Sequence, residues 1–409
     1  RPLHRASIHR AKRPLKMTGS NPMKRQRTAS LPAHRRVCFI GAPFCEGQNL
    51  DGTDLAPTAL REAGIKQAVE KLGWQWEDKG DIDFAAHFGE RGMGDAQSLH
   101  DHHHSVALYR AWLQSGMRDN FSTWVQRFGQ ENGAMRRSAS GKNLVAAAAH
   151  ADGQREVVNS ELIGEGLKLI YETADHAASS GSFVLTVGGD HSIAAGTIAA
   201  MQRTYPSLGV IWVDAHADAN TPDTSPSMHY HGMPAAHLLG WFEQTLKGFD
   251  WFTPGCLSEN RLAYIGLRDI DKEEAAMLKE SNVAVFTMRD IDKHGIAKVI
   301  EMAIAAIDPN SNRPLHLSLD IDAVDPHFAP GTGTCARGGL TYREIHYVCE
   351  EMALTNRLVG MDLVEVNPSL DPPPAGAAMH GDDPNLHPAS PTVQLGVELS
   401  LSALGKTIL

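Results

Sequence analysis

The stretch Gly209-Val210-Ile211-Trp212-Val213-Asp214-Ala215-His216-Ala217-Asp218 decides the fold of this chain. A short apolar run ends abruptly in a polar one. A strand that is apolar at successive positions, not alternate ones, is buried on both faces. The same order recurs on either side. An apolar strand over 182–187 leads into Gly188-Gly189-Asp190-His191-Ser192, and one over 315–319 leads into Asp320-Ile321-Asp322. Further strands are predicted over 37–43, 80–84, 262–266, 283–287 and 358–364. Helical patterns lie between them over 57–69, 160–179, 193–204, 272–281, 296–307 and 341–355. Short apolar strands alternating with helices indicate a single-domain α/β fold, a parallel β-sheet flanked by helices on both faces. Sites in such sheets lie at the carboxyl ends of strands, where all three polar clusters fall.

Two stretches stand apart. Residues 1–36 hold eleven Lys/Arg and no acid, with Pro scattered and no apolar periodicity. They read as a basic, disordered N-terminal extension of a catalytic domain over 37–409. Met17 and Met23 are candidate natural starts. Residues 85–155 read as an insertion, with short helices predicted over 108–113 and 121–128. In it, His102-His103-His104 reads as a solvated loop before a metal site. Arg25, Arg27 and Ser30, with Arg137 and Ser140, form weak basic-directed phosphorylation patterns.

Net charge is −10, and setting aside the +11 of the extension leaves the body at −21. So acidic a body is a poor nucleic-acid surface and attracts cationic small molecules. No apolar run reaches 18 residues, so no membrane-spanning helix is expected. The five cysteines, Cys38, Cys45, Cys256, Cys335 and Cys349, are scattered and odd in number, which excludes a disulfide framework and a thiolate zinc site. A cytoplasmic location is the expectation. The alternative is mitochondrial, because the first 36 residues are Arg-rich and free of acid.

In an extended segment alternate side chains share a face. Asp214, His216 and Asp218 would then point one way, and Asp320 with Asp322 likewise. Four converging carboxylates repel unless cations neutralise them. Two divalent ions match the charge. Oxygen and imidazole donors without thiolate favour Mn²⁺, or less often Fe or Co. Six ligands serve two ions only if some carboxylates bridge. Such a pair lowers the pKa of water so that hydroxide exists near neutral pH and attacks an electron-poor carbon. A lone DxD is more often a turn or cap; three such clusters, each after an apolar strand, are hard to explain that way.

Together GGDHS (188–192), WVDAHAD (212–218), SLDIDAVDP (318–326) and MDLVEVNP (361–368) resemble the ureohydrolases. The flanking IGAPFCEGQ (40–48), NTPDTSPSMHYHGMP (220–234), YIGLRDIDKEE (264–274) and GTGTCARGGLTYRE (331–344) resemble the arginases within them. The resemblance covers 37–84 and about 156–409. It implies an arginase/deacetylase-like three-layer fold and a cofactor of two Mn²⁺ per subunit. One ion would be held by His191, Asp214, Asp218 and Asp320, the other by Asp214, His216, Asp320 and Asp322. A bridging hydroxide would attack the guanidinium carbon of L-arginine, giving ornithine and urea. Asp218 would accept a hydrogen bond from it, His231 would shuttle the proton, and Glu365 would pair with the guanidinium. Asn220, Ser227 and His229 would bind the α-carboxylate, and Asp271, with Glu274 through water, the α-amino group; Thr334 would be a further substrate-binding residue. Met228-His229 stands where arginases usually carry Gly-Asn. The resemblance also implies a homotrimer, with the amphipathic C-terminal helix near the subunit contact. Agmatine, which lacks the α-carboxylate, or another guanidino compound is the alternative substrate. A metal-bound scaffold without activity is a third reading.

Overall fold

A computed structural model describes residues 35–91, 102–116, 120–132, 156–373 and 389–407. Residues 1–34 of the extension, the Ser30 and Ser140 patterns and the side chains of His102, His103 and His104 lie outside the described residues; Arg36, assigned to the extension, starts the first strand instead. The strands are β1 (Arg36–Ala42), β2 (Gln75–Asp81), β3 (Phe183–Gly188), β4 (Gly209–Val213), β5 (Leu262–Leu267), β6 (Ala284–Thr287), β7 (Leu315–Asp320) and β8 (Leu358–Val364). They form one sheet in the order β2-β1-β3-β8-β7-β4-β5-β6. Every pairing is parallel.

Successive strand residues go to opposite faces, and both faces are buried. Val37, Leu185, Ile211 and Leu317 join one hydrophobic cluster; Cys38, Val184, Val210 and Tyr264 join the other. The first cluster is covered by the helices Ala56–Glu62, Ile296–Ile307, Tyr342–Leu354 and Pro391–Ala403. The second is covered by Ser160–Ser179, Ile193–Thr204 and Pro234–Leu239. The expected three layers are thus present, because unbroken apolar strands have no face to leave in water.

Some predicted boundaries are corrected. The helix expected over 57–69 is two, Ala56–Glu62 and Ile65–Lys71, broken at Gly64, whose φ of 83° is left-handed. The strand expected over 80–84 lies earlier, at Gln75–Asp81; it is a polar edge strand, and Phe84 starts a helix. The C-terminal helix Pro391–Ala403 is not amphipathic. Only Pro391, Gln394 and Glu398 are half-exposed, and the rest is buried within this chain. Among the described residues no helix is long and apolar enough to cross a membrane.

Two helices from the 85–155 stretch, His102–Gln114 and Phe121–Asn132, reach the main core. Trp112 is 1% exposed and packs against Tyr109 and Phe121 with ring centroids 5.4 and 5.7 Å away. These residues join the cluster that holds Leu55 and Leu60. Trp112→Ala is therefore expected to cost about 3–5 kcal/mol, as for other buried Trp truncations. Urea denaturation checks this; a midpoint unchanged from wild type would show that the contact adds nothing.

Candidate metal centre

The strand order makes β3, β8, β7 and β4 contiguous, so four polar clusters meet at one rim. His191 follows β3, Asp214–Asp218 follow β4, Asp320 ends β7, and Glu365 follows β8. Close main-chain approach sets the rim. A Cβ on Gly189 would stand 1.4 Å from Phe44 O, so only glycine lets the loop after β1 lie against the end of β3.

His191 Nδ1 is buried without a hydrogen-bond partner of its own. It faces Asp214 Oδ2 and Asp218 Oδ2, both at 3.0 Å, and Asp320 Oδ2 at 3.2 Å. Its other nitrogen, Nε2, lies 3.0 Å from Ser318 Oγ, and its ring stacks on Trp212 at 4.2 Å. Trp212 Nε1 donates to Asp214 Oδ2 at 2.9 Å. His216 Nδ1 lies 3.0 Å from Asp322 Oδ2 and 3.6 Å from Asp214 Oδ1. Two ligand-like groups result, His191-Asp214-Asp320 and Asp214-His216-Asp322, with Asp214 common to both. Asp320 is oriented by Oδ1, which accepts from Asp322 N at 2.8 Å.

Simple alternation is not what brings these residues together. Residues 214–218 do not continue the strand; Asp218 has φ 50°, and Asp320 caps a 3-10 turn over Ile321–Ala323. Glu365 is likewise left-handed, at φ 60°. Non-glycine residues held in this region mark a site whose surroundings over-determine the backbone.

The electrostatics fit a pair of cations. Burial pushes the Asp218, Asp320 and Asp322 carboxyls up, and the Asp214 charge pushes them further, Asp322 to about 6. For Asp214 burial is outweighed by His191 and His216, which hold its carboxyl low. Both imidazoles are raised in return, against their own burial. An unpartnered imidazole nitrogen aimed at three carboxylate oxygens matches a coordination shell, and the donor set suits divalent ions of oxygen and nitrogen preference.

A cleft opens above this rim. Its lining includes His216, Asp218, Asn220, Ser227, His229 and His231. It also includes Asp271, Glu274, Asp320, Asp322, Thr334 and Glu365. His191 and Asp214 lie beneath it, buried. Asn220 Nδ2 donates to Asp271 Oδ2 at 3.0 Å. Glu274 is engaged on both oxygens, accepting from Ala219 N at 2.9 Å and Asp271 N at 3.0 Å, and burial pushes its carboxyl up to about 7. Glu365 Oε1 accepts from His191 N at 3.0 Å and Oε2 from Gln48 Nε2 at 3.1 Å. His231 Nδ1 stands 3.7 Å from Glu365 Oε1. Burial opposes its protonation, but the Glu365 carboxylate raises it to about 9.

Sequence reasoning passed over Gln48, Ser318 and Asp190. Asp190 accepts from Gly47 N at 2.8 Å and Ser192 N at 2.9 Å, fastening the first loop to the third strand. The signal was in the quoted motifs, since IGAPFCEGQ ends in Gln48 and SLDID starts with Ser318. Cys335, beside Thr334, is exposed.

A sequence model of the family described as "Arginase family" matches residues 35–382. The chain belongs to the arginase family. It is 37% identical over 377 residues to an arginase of Plasmodium berghei, covering 91% of this chain and 93% of that one. It is 37% identical over 407 residues to an arginase of Plasmodium falciparum, covering 93% and 96%. Among solved structures, the arginase of Bacillus caldovelox superposes with a TM-score of 0.67 at 30% identity, over 91% of this chain and 99% of that one. The arginase fold accordingly accounts for the eight-stranded parallel sheet, and family membership for the two His/Asp groups at its rim.

Proposed function

We propose that this protein hydrolyses L-arginine to L-ornithine and urea, with two Mn²⁺ ions as its resident metals. The observation that carries this reading is one cleft lined by two chemically distinct sets of residues. It is lined by His216, Asp218, Asp320, Asp322 and Glu365, and also by Asn220, Ser227 and Asp271. A substrate with a guanidinium at one end and an α-amino acid at the other meets both.

When bound, the two ions would neutralise the four carboxylates and bring water close to ionising at neutral pH. His191, Asp214, Asp218 and Asp320 would hold one ion, and Asp214, His216, Asp320 and Asp322 the other. Glu365, fixed by His191 N and Gln48, keeps lone pairs for the guanidinium and orients its carbon. Asn220, Ser227, His229 and Thr334 bind the α-carboxylate end, and Asp271 binds the α-amino group. Glu274 positions them, because it ties Asp271 and Ala219 through both of its oxygens. The oxygen of water ends on the urea carbon, and the bond to the side-chain nitrogen breaks. His231 delivers a proton to that departing amine, and Asp218 assists the transfer. This is general acid–base work by a group held protonated near neutral pH.

Turnover of L-arginine and agmatine, measured side by side on manganese-loaded protein, tests the reading. Arginine is the expected preferred substrate, because agmatine leaves Asn220 and Ser227 unused. Faster agmatine hydrolysis would move the assignment to an agmatinase, and no urea from either would favour a metal-bound scaffold.

A further inference from the structure

Arg268 follows β5, and all five of its guanidinium hydrogen bonds go to main-chain carbonyls. Nε donates to Ala336 O at 3.2 Å. Nη1 donates to Gly266 O at 3.2 Å and Ala323 O at 3.1 Å. Nη2 donates to Asp322 O at 2.6 Å and Ala336 O at 2.8 Å. One side chain therefore joins the loops after β5 and β7 to the loop that carries Thr334. The main chain beside it adds a fourth attachment, since Arg268 N and Asp269 N both donate to Ala215 O, at 2.9 and 3.1 Å. Ala215 lies between the ligand candidates Asp214 and His216. The loop backbone packs closely on this fork, for a Cβ on Gly339 would stand 2.6 Å from Nη2.

Two features set Arg268 apart from a surface arginine. A planar guanidinium has five donors in a fixed fork, and here every direction is used. Its charge also stands near the Asp322, Asp214, Asp325 and Asp320 carboxylates, whose like charges repel one another. The one ligand candidate that its guanidinium binds, Asp322, belongs to the His216 half of the centre. Asp322 is bound at its carbonyl oxygen, and His216 Nδ1 leans on Asp322 Oδ2 at 3.0 Å. The His191 group is instead held from below by Ser318 and Trp212, which Arg268 does not touch.

We propose that Arg268 is the positioning residue for the His216–Asp322 half of the metal centre, so that its loss uncouples the two ions. The inference rests on the two-metal reading above. Lysine at this position keeps the charge but replaces the fork by a point donor that cannot span three loops. Methionine keeps an unbranched, flexible side chain and removes both charge and donors.

The test is Mn²⁺ binding to the full chain by equilibrium dialysis and elemental mass spectrometry, for wild type, Arg268→Lys and Arg268→Met. Wild type is expected to hold two ions. Each variant should keep the first ion with wild-type affinity and bind the second roughly 10- to 100-fold more weakly, the scale of outer-shell changes. Wild-type affinity for both ions in either variant overturns the proposal. So does equal weakening of both ions accompanied by a lower Tm of the metal-free variant, which marks a general structural role. If Arg268→Met does not fold, Arg268→Lys decides alone. Wild-type protein that binds fewer than two ions overturns the metal reading itself, and this inference with it.

Discussion

Asp214→Ala is expected to abolish both metal retention and turnover. Asp214 is fully buried, and it is common to the His191-Asp214-Asp320 and Asp214-His216-Asp322 groups. Its Oδ2 lies 3.0 Å from His191 Nδ1, and its Oδ1 accepts from His216 N at 2.7 Å. Removal takes one donor from each ion and the link between them. It also leaves the Trp212 indole N–H, which donates to Asp214 Oδ2, without its acceptor in a buried place. The loss should exceed the 10- to 100-fold typical of outer-shell changes, because the ligand itself is gone. Metal content per chain and urea release, measured on one preparation, check it. Two ions still bound to the folded variant would contradict the bridging position of Asp214.

Gly209–Val213, Ser160–Ser179, Ile193–Thr204, Ile296–Ile307 and Leu358–Val364 fall where the apolar pattern puts them. Each is long or apolar enough for burial to dominate local preference. β2 escaped because it is an edge strand whose Gln-Trp-Glu-Asp-Lys-Gly-Asp run buries none of its side chains fully, so no apolar alternation marks it. The helices Pro234–Leu239 and Met288–His294 are too short to show a period. The ligand candidates were legible because three clusters carry their chemistry within a few residues of a strand end. Their supports were not. Ser318 and Trp212 read as members of buried strands, and only strand register reveals that they meet His191 and Asp214. Arg268 acts on carbonyl groups, which every residue possesses and no motif records.

His231→Asn separates catalysis from metal binding in a way that Asp214→Ala does not. His231 lies in the 3-10 turn Tyr230–Gly232, and its side chain is 25% exposed to the cleft. The turn is anchored from behind. Tyr230 OH lies 2.8 Å from His237 Nδ1, and His237 packs against Phe242, Phe249 and Phe252 with centroids 4.7, 5.0 and 4.2 Å away. Burial in this cage drives His237 down to about 3, so it stays neutral and the anchor does not titrate near neutral pH. Asparagine at 231 therefore keeps the turn and a polar side chain but loses the transferable proton. Both ions should remain bound, and the rate should fall by roughly 10²- to 10⁴-fold, the usual contribution of a positioned acid or base. The pH profile gives a second readout. Glu365 raises His231 to about 9, so the imidazolium persists below that pH and its proton is lost as the pH climbs through it. Wild-type turnover should decline across that alkaline range, and the asparagine variant should lack the decline. A variant with undiminished rate, or with the same alkaline limb, would take the proton-transfer role away from His231 and leave the cleft without its acid.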